Sequence, residues 1–165
     1  SWRYRGSNET VTYQSQRGET IFTTMAEGAD DIVVLRADGV YSYQFAVAVD
    51  DAMMRITEVV RSVDLAESTG WQVRFMNALN LTAPMYWHIP LLCDREGIRL
   101  SKRQHGITVR KLLKAGKTPA DILGYLGYLA GINPQRKPQT LQELASIDLA
   151  EWQLDSLEIR LKEVL

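Results

Sequence analysis

Ile56-Thr57-Glu58-Val59-Val60-Arg61 is followed by Ser68-Thr69-Gly70-Trp71-Gln72-Val73-Arg74-Phe75-Met76-Asn77-Ala78-Leu79-Asn80, and then by Met85-Tyr86-Trp87-His88-Ile89-Pro90-Leu91-Leu92. The first run is rich in β-branched residues, which suit a packed, pleated strand, and reads as a buried one. In the second, Gln72 stands three positions after Thr69, the spacing of a capping box. Val73, Phe75, Met76 and Leu79 then recur at helical intervals until Asn80 offers a stop. The third run is apolar and split by Pro90. Strand, helix, strand in this order predicts an α/β sheet. Arg61 stands at the carboxyl end of the first strand, where ligands of α/β sheets gather, and its planar fork suits a carboxylate. Spacing alone favours a plainer alternative, a structural ion pair with Glu58 or Asp64.

Upstream, Ile32-Val33-Val34-Leu35 is a compact apolar run and Ala37-Asp38-Gly39 a turn. Tyr41, Tyr43, Phe45, Val47 and Val49 then alternate with Ser42, Gln44, Ala46 and Ala48. Period-two alternation with a small second face predicts a strand covered on both sides, with Asp50-Asp51 in the turn at its end. Val11-Thr12-Tyr13-Gln14 and Thr20-Ile21-Phe22-Thr23 read as short strands in an otherwise polar opening.

Downstream, Arg95-Glu96-Gly97 turns the chain into Ile98-Arg99-Leu100, and the texture becomes helical. Thr108 to Ala115 forms a basic amphipathic helix ended by Gly116. Thr118 caps the next, with Pro119 at its first position and Asp121 at its positive end, and Gly131 and Pro134 stop it. Thr140 and Glu143 form another capping box, and the tail reads as partly helical, with a restart near Asp155 and Glu158. The predicted organisation is an α/β core over residues 1–103 and a small helical module over 104–165.

The totals bound the function. Hydrophobic residues make up 45% and charged residues 24% of 165 positions, a globular composition. The apolar runs are too short for a membrane helix, and Ser1-Trp2-Arg3-Tyr4-Arg5 does not open a signal peptide. Cys93 is the single cysteine, so no internal disulfide forms, and a reducing, cytoplasmic setting is expected. With only His88 and His105 beside it, no Cys/His metal set exists. Net charge is -1, yet residues 95–117 hold eight Lys/Arg against one acid, Glu96, and the remainder holds eleven against nineteen. A basic island of +7 in a remainder of -8 suits either a site for phosphates or a solvated helix face. Arg99-Leu100-Ser101-Lys102-Arg103 lies within it. A lysine on a mobile loop suits phosphate oxygens, although five such residues are common by chance.

Taken in order, Tyr43-Gln44-Phe45-Ala46-Val47-Ala48-Val49-Asp50-Asp51, Ile56 to Arg61, Asp64-Leu65, Ser68-Thr69, Gln72, Tyr86-Trp87-His88-Ile89-Pro90-Leu91, Gly97 and Arg99 to Arg103 closely resemble the glutamyl-tRNA synthetase family of class I aminoacyl-tRNA synthetases. The likeness runs from about 31 to 132. Gln44 after Tyr43 and Leu65 after Asp64 look like the glutamyl-Q branch, which lacks an anticodon-binding domain; ordinary members usually have Asn and His there.

The resemblance implies a Rossmann-like catalytic core followed by a stem-contact module. It implies activation of glutamate with ATP and transfer to the queuosine base of tRNA(Asp). Tyr43 and Arg61 match glutamate-binding residues. Arg99, Leu100, Ser101, Lys102 and Arg103 match the ATP-binding signature loop, in which Lys102 is the catalytic residue. Mg²⁺ accompanies ATP; no metal ligand is assigned, and any zinc site is expected outside this chain. L-glutamate, ATP and tRNA are the expected partners, with no membrane, and a monomer is expected.

Some residues depart from the family pattern: Ser62 stands where Gly is usual, and Gly70-Trp71 where Pro-Arg precedes Gln72. The H-I-G-H-like nucleotide motif and the first glutamate-binding residues are absent from these residues, so the segment alone is expected not to form adenylate. Two alternatives stand beside this reading. One is an ordinary glutamyl-tRNA synthetase cut before its anticodon-binding domain, the other a non-catalytic RNA-binding derivative. The first reading requires Arg61 and Lys102 to converge on one acyl-nucleotide.

Overall fold

The computed structural model describes residues 1–6, 8–15, 20–24, 31–94, 96–100 and 108–147, and the backbone of 158–160. The chain divides into two compact units, 1–89 and 90–165. Nothing in either is a helix long and apolar enough to cross a membrane, among the described residues.

In the first unit, β1 (Trp2–Tyr4) pairs antiparallel with β4 (Ile32–Leu35), and β2 (Thr10–Gln14) with β3 (Thr20–Thr24). The β2/β3 hairpin and β4 follow the sequence expectation; β1 was hidden in a polar opening. The turn after β4 is closed by Gly39, which is left-handed at φ 81°.

Residues 43–53 correct the expected strand: Tyr43–Met53 is a helix, α1, and Asp50-Asp51 lie within it rather than in a turn. Ser42 caps it, its hydroxyl accepting from the Phe45 N–H at 3.4 Å. The small residues of the second face, Ala46 and Ala48, are strong helix formers. Phe45 and Ala48, three apart, then share a helical face against Phe75 and Met76. Both periods fit this stretch; the cap and the packing partner select the helix.

Next comes a strand–helix–strand unit. β5 (Glu58–Ser62) leads through a 3₁₀ turn (Val63–Leu65) into α2 (Ala66–Ala78) and back to β6 (Met85–Ile89), parallel to β5 with Arg61 opposite His88. Two details differ from expectation. β5 is not buried throughout, since Val60 is 63% exposed. α2 starts three residues before Thr69, with no side-chain cap at Leu65; Thr69 lies inside the helix and directs its hydroxyl elsewhere. The helix does end at the predicted place, where Asn80 is left-handed at φ 55°.

The core of this unit has two parts. Val11, Tyr13, Val73 and Tyr86 form one, and Ala48, Phe75 and Met76 the other. Trp71, at one departing position, packs between them against Tyr4 and Phe75, with ring centroids 6.5 and 6.2 Å apart.

In the second unit, β7 (Leu91–Cys93) pairs parallel with β8 (Glu158–Arg160), where a helical restart was expected. Gly97, at φ 84°, turns the chain so that Arg99 bridges Cys93. α3 (Val109–Lys114) is capped by Thr108, and α4 (Pro119–Leu129) and α5 (Leu141–Ala145) begin at the predicted caps, Thr118 and Thr140. The last two have complete capping boxes.

Candidate functional site

Arg61 is the penultimate residue of β5, next to the 3₁₀ turn that opens α2. β5 carries it to the carboxyl end of the parallel pair, and two residues of α2, one helical turn apart, take hold of it. Nη1 donates to Oε1 of Gln72 at 2.7 Å, and Nη2 to Oγ1 of Thr69 at 2.5 Å. The guanidinium lies over the ring of Tyr86, 4.9 Å from its centroid. Its Nε is buried without a hydrogen-bond partner. The ion pair with Glu58 or Asp64 that spacing favoured does not form; the salt bridges among the described residues are Arg36–Asp38 and Arg74–Glu9. Arg61 is therefore a half-buried cation held by neutral groups, with its charge uncompensated by direct contact among the described residues.

Further hydrogen bonds fix Gln72 and Thr69 in turn. Nε2 of Gln72 donates to Oε1 of Gln44 at 2.5 Å, and Nε2 of Gln44 donates to Oγ of Ser68 at 2.9 Å. His88, opposite Arg61 in β6, lies with Nε2 3.0 Å from Oγ1 of Thr69. Its ring stacks on Tyr86 at an interplanar angle of 5°, and Tyr13 meets Tyr86 edge-on at 5.5 Å.

The electrostatics show which groups face one another. Burial lowers the Arg61 pKa, while Tyr86, Tyr43, Asp51 and Tyr13 pull it back up. Burial raises the Asp51 carboxyl, and Arg61 opposes that rise. Tyr43, the first residue of α1, thus stands within electrostatic reach of Arg61, and so does Asp51, two turns further along the same helix. Tyr43 is 64% exposed, with its phenol available to solvent. Burial first, and Arg61 second, lower the His88 pKa, which favours the neutral ring.

Of the site residues read from sequence, Tyr43 stands within electrostatic reach of Arg61. Arg99 and Leu100 are described in the second unit, where the Leu100 N–H donates to the Leu92 carbonyl at 3.0 Å. Ser101, Lys102 and Arg103 lie outside the described residues. Sequence reasoning placed Thr69 and Gln72 in a capping box and left His88 within an apolar run. The one-turn spacing of Thr69 and Gln72 on α2 was the available signal; the register that sets His88 opposite Arg61 appears only with the strand pairing.

No group of three or more His, Cys, Asp or Glu among the described residues is placed to hold a metal ion. A separate cavity of about 540 Å³ lies at the amino ends of β5 and β6, lined by Arg55, Ile56, Thr57 and Asn80 among others, away from Arg61.

Residues 5–165 match the family model described as tRNA synthetases class I (E and Q), catalytic domain. A glutamyl-Q tRNA(Asp) synthetase of Symbiobacterium thermophilum is 45% identical over 121 residues, 73% of this chain and 38% of that protein. Glutamate–tRNA ligase 2 of a Nitratiruptor species is 35% identical over 127 residues, 77% of this chain and 28% of that protein. The chain thus spans well under half the length of either relative. Among solved structures, a glutamate tRNA ligase from Elizabethkingia meningosepticum in complex with its amino acid superposes with a TM-score of 0.72 at 20% identity. It covers 95% of this chain and 35% of that one, and supports the mixed α/β fold.

Proposed function

Because the chain belongs to the class I tRNA synthetases of the glutamate and glutamine group, we propose that it carries the glutamate-receiving part of an ATP-dependent synthetase. The supporting observation is the Arg61 guanidinium, half-buried, bonded to neutral partners among the described residues and within electrostatic reach of the exposed Tyr43 phenol. A cation prepared in this way accepts a carboxylate without first breaking an ion pair. In this reading Arg61 receives a glutamate carboxylate and Tyr43 contacts the same amino acid.

ATP activates the glutamate, forming glutamyl-adenylate and releasing pyrophosphate. Lys102, in the loop from Arg99 to Arg103, steadies the phosphates as the α-phosphorus is attacked. Mg²⁺ accompanies the nucleotide, and no residue here is assigned to it. Residues 1–103 belong to the catalytic core and 104–165 to a stem-contact module.

The acceptor is the queuosine base of tRNA(Asp). The 45% identity over 121 residues to a glutamyl-Q tRNA(Asp) synthetase supports it. The H-I-G-H-like nucleotide motif is not among these residues, so the segment by itself does not turn over ATP.

Labelled glutamate, ATP and the full-length protein carrying this segment provide the test. Glutamate is expected on tRNA(Asp) only when that tRNA bears queuosine; transfer to the 3′ end of tRNA(Glu) would replace this reading with the ordinary ligase. Lys102→Ala is expected to abolish most ATP–pyrophosphate exchange while leaving the circular-dichroism spectrum unchanged, and unaltered exchange removes Lys102 from the mechanism. Exchange catalysed by the 165-residue chain alone would overturn the claim that it is only part of the site.

A further inference from the structure

The amides of Gln44 and Gln72 form a chain of hydrogen bonds with a single polarity, and the cation sets it. A guanidinium only donates, so Arg61 obliges Gln72 to present Oε1. That turns the Gln72 NH₂ toward Oε1 of Gln44, which in turn points the Gln44 NH₂ at the Ser68 hydroxyl. Gln72 is 1% exposed, so water does not replace a lost partner. Gln44 directly follows Tyr43 on α1, and the chain therefore ties the helix that presents the phenol to the guanidinium at the end of β5.

We infer that Gln44 is a positioning residue that, acting through Gln72, fixes the Arg61 guanidinium relative to Tyr43. The inference rests on the reading that Arg61 and Tyr43 receive glutamate only for its functional consequence; the coupling itself needs no ligand. With Gln72 unanchored, its amide rotates, and one guanidinium nitrogen loses a fixed acceptor while Thr69 still holds the other. Asn at position 44 keeps the amide but is one methylene short. Met keeps the length and removes both bonds.

The test uses the full-length protein carrying this segment, labelled with ¹⁵N-arginine. Rotation of the Arg61 guanidinium about its Nε–Cζ bond is measured by NMR exchange, and L-glutamate is titrated against the same resonance. Gln44→Met is expected to speed the rotation and to weaken glutamate binding about fivefold, the scale of one net hydrogen bond. Gln72→Met is expected to do the same more strongly. The double variant is expected to match Gln72→Met alone, since both substitutions cut one path. Unchanged rotation in Gln44→Met, or effects of the two substitutions that multiply, would overturn the inference.

Should Gln44→Met not fold, Gln44→Glu and Gln44→Asn decide. Glu still accepts from Gln72 and is expected to keep rotation slow, whereas Asn is expected to release it; the reverse order overturns the coupling. If rotation responds as expected while glutamate leaves the resonance unmoved, the coupling stands and the glutamate reading fails.

Discussion

The Arg61 guanidinium rests on the face of Tyr86, 4.9 Å from the ring centroid, and the Tyr86 side chain is fully buried. A desolvated cation over an aromatic face contributes on the order of 2 kcal/mol. The tyrosine hydroxyl is not part of that interaction, and its Oη is buried without a hydrogen bond. Burial, only partly opposed by Arg61, pushes the phenol up to about 12.

Tyr86 therefore makes stability depend on alkaline pH in a definite direction. The folded phenol holds its proton more tightly than the unfolded one, which releases it near 10.0. The stabilisation is complete below pH 10 and is lost as pH rises toward 12, by roughly 2–3 kcal/mol. Tyr86→Phe keeps the ring beneath Arg61 and removes both the unpaired hydroxyl and the ionisation. Urea unfolding at pH 7 is expected to show it as stable as the parent or about 1 kcal/mol more stable. The alkaline loss is expected to shrink. A Phe variant that unfolds more easily at pH 7 would mean that the hydroxyl has a partner.

His88 produces the opposite slope near neutrality. Its pKa is lowered, first by burial and then by Arg61, so folding favours the neutral ring. The associated stability is present above about 6.5, the ordinary value, and is lost as pH falls through the lower folded value. The urea midpoint is expected to rise between pH 5.5 and 7.5, and His88→Gln is expected to flatten that rise. Asp121 and Glu143, lowered chiefly by the backbone N–H groups of Thr118 and Thr140, act in a separate, more acidic window. A midpoint that does not move between pH 5.5 and 7.5 would contradict the assignment to His88.

What the sequence made legible was local. The cap at Thr118 and the capping box at Thr140/Glu143 depend on neighbours within one turn and appear as expected, and Asp121 completes a second box with Thr118. The strand–helix–strand unit and Arg61 at its carboxyl edge followed from texture and order. Thr69 misled because a hydroxyl suited to capping serves Arg61 and His88 instead. Residues 43–53 misled because alternation and helical spacing coincide there, and the Ser42 cap with the contact to Phe75 and Met76 distinguishes them. The bond between Gln44 and Gln72 spans 28 positions and two helices. No local pattern encodes it, and neither does the parallel register that brings His88 beside Arg61.

Two glycines of α4 are expected to respond unequally to alanine. A Cβ at Gly124 would stand 1.9 Å from the Lys137 carbonyl oxygen and 2.9 Å from the Gln139 nitrogen, both backbone atoms. At Gly127 it would meet the Leu144 Cδ2 at 2.8 Å, the end of a side chain that can turn away. Alanine gains about 1 kcal/mol of helix propensity at either site. Overpacking against backbone costs about 1–3 kcal/mol or more. Gly124→Ala is expected to lower the thermal midpoint clearly, with the loop that bonds Gln139 N–H to the Ala120 carbonyl displaced. Gly127→Ala is expected to stay near the parent. Equal melting of the two variants would mean that this loop yields freely.

Arg55 closes α1 in the left-handed region at φ 57° and is exposed. Its N–H donates to the Ala52 carbonyl and the Ile56 N–H to the Asp51 carbonyl, so the helix end depends on this conformation. A side chain with a β-carbon pays roughly 1–2 kcal/mol to stay there, and glycine does not. Glycine also gains freedom in the unfolded chain, which returns part of the benefit. The net expectation for Arg55→Gly is a gain of about 0.5–1 kcal/mol in urea unfolding. Arg55→Val, branched at Cβ, is expected to lose stability at the same position. Asn80, at φ 55°, is a milder case because asparagine tolerates this region, and Asn80→Gly is expected to gain less. If Arg55→Gly destabilises the chain, the arginine side chain must contribute more than its backbone strain costs, and the cavity it lines at the amino ends of β5 and β6 is where that contribution would arise.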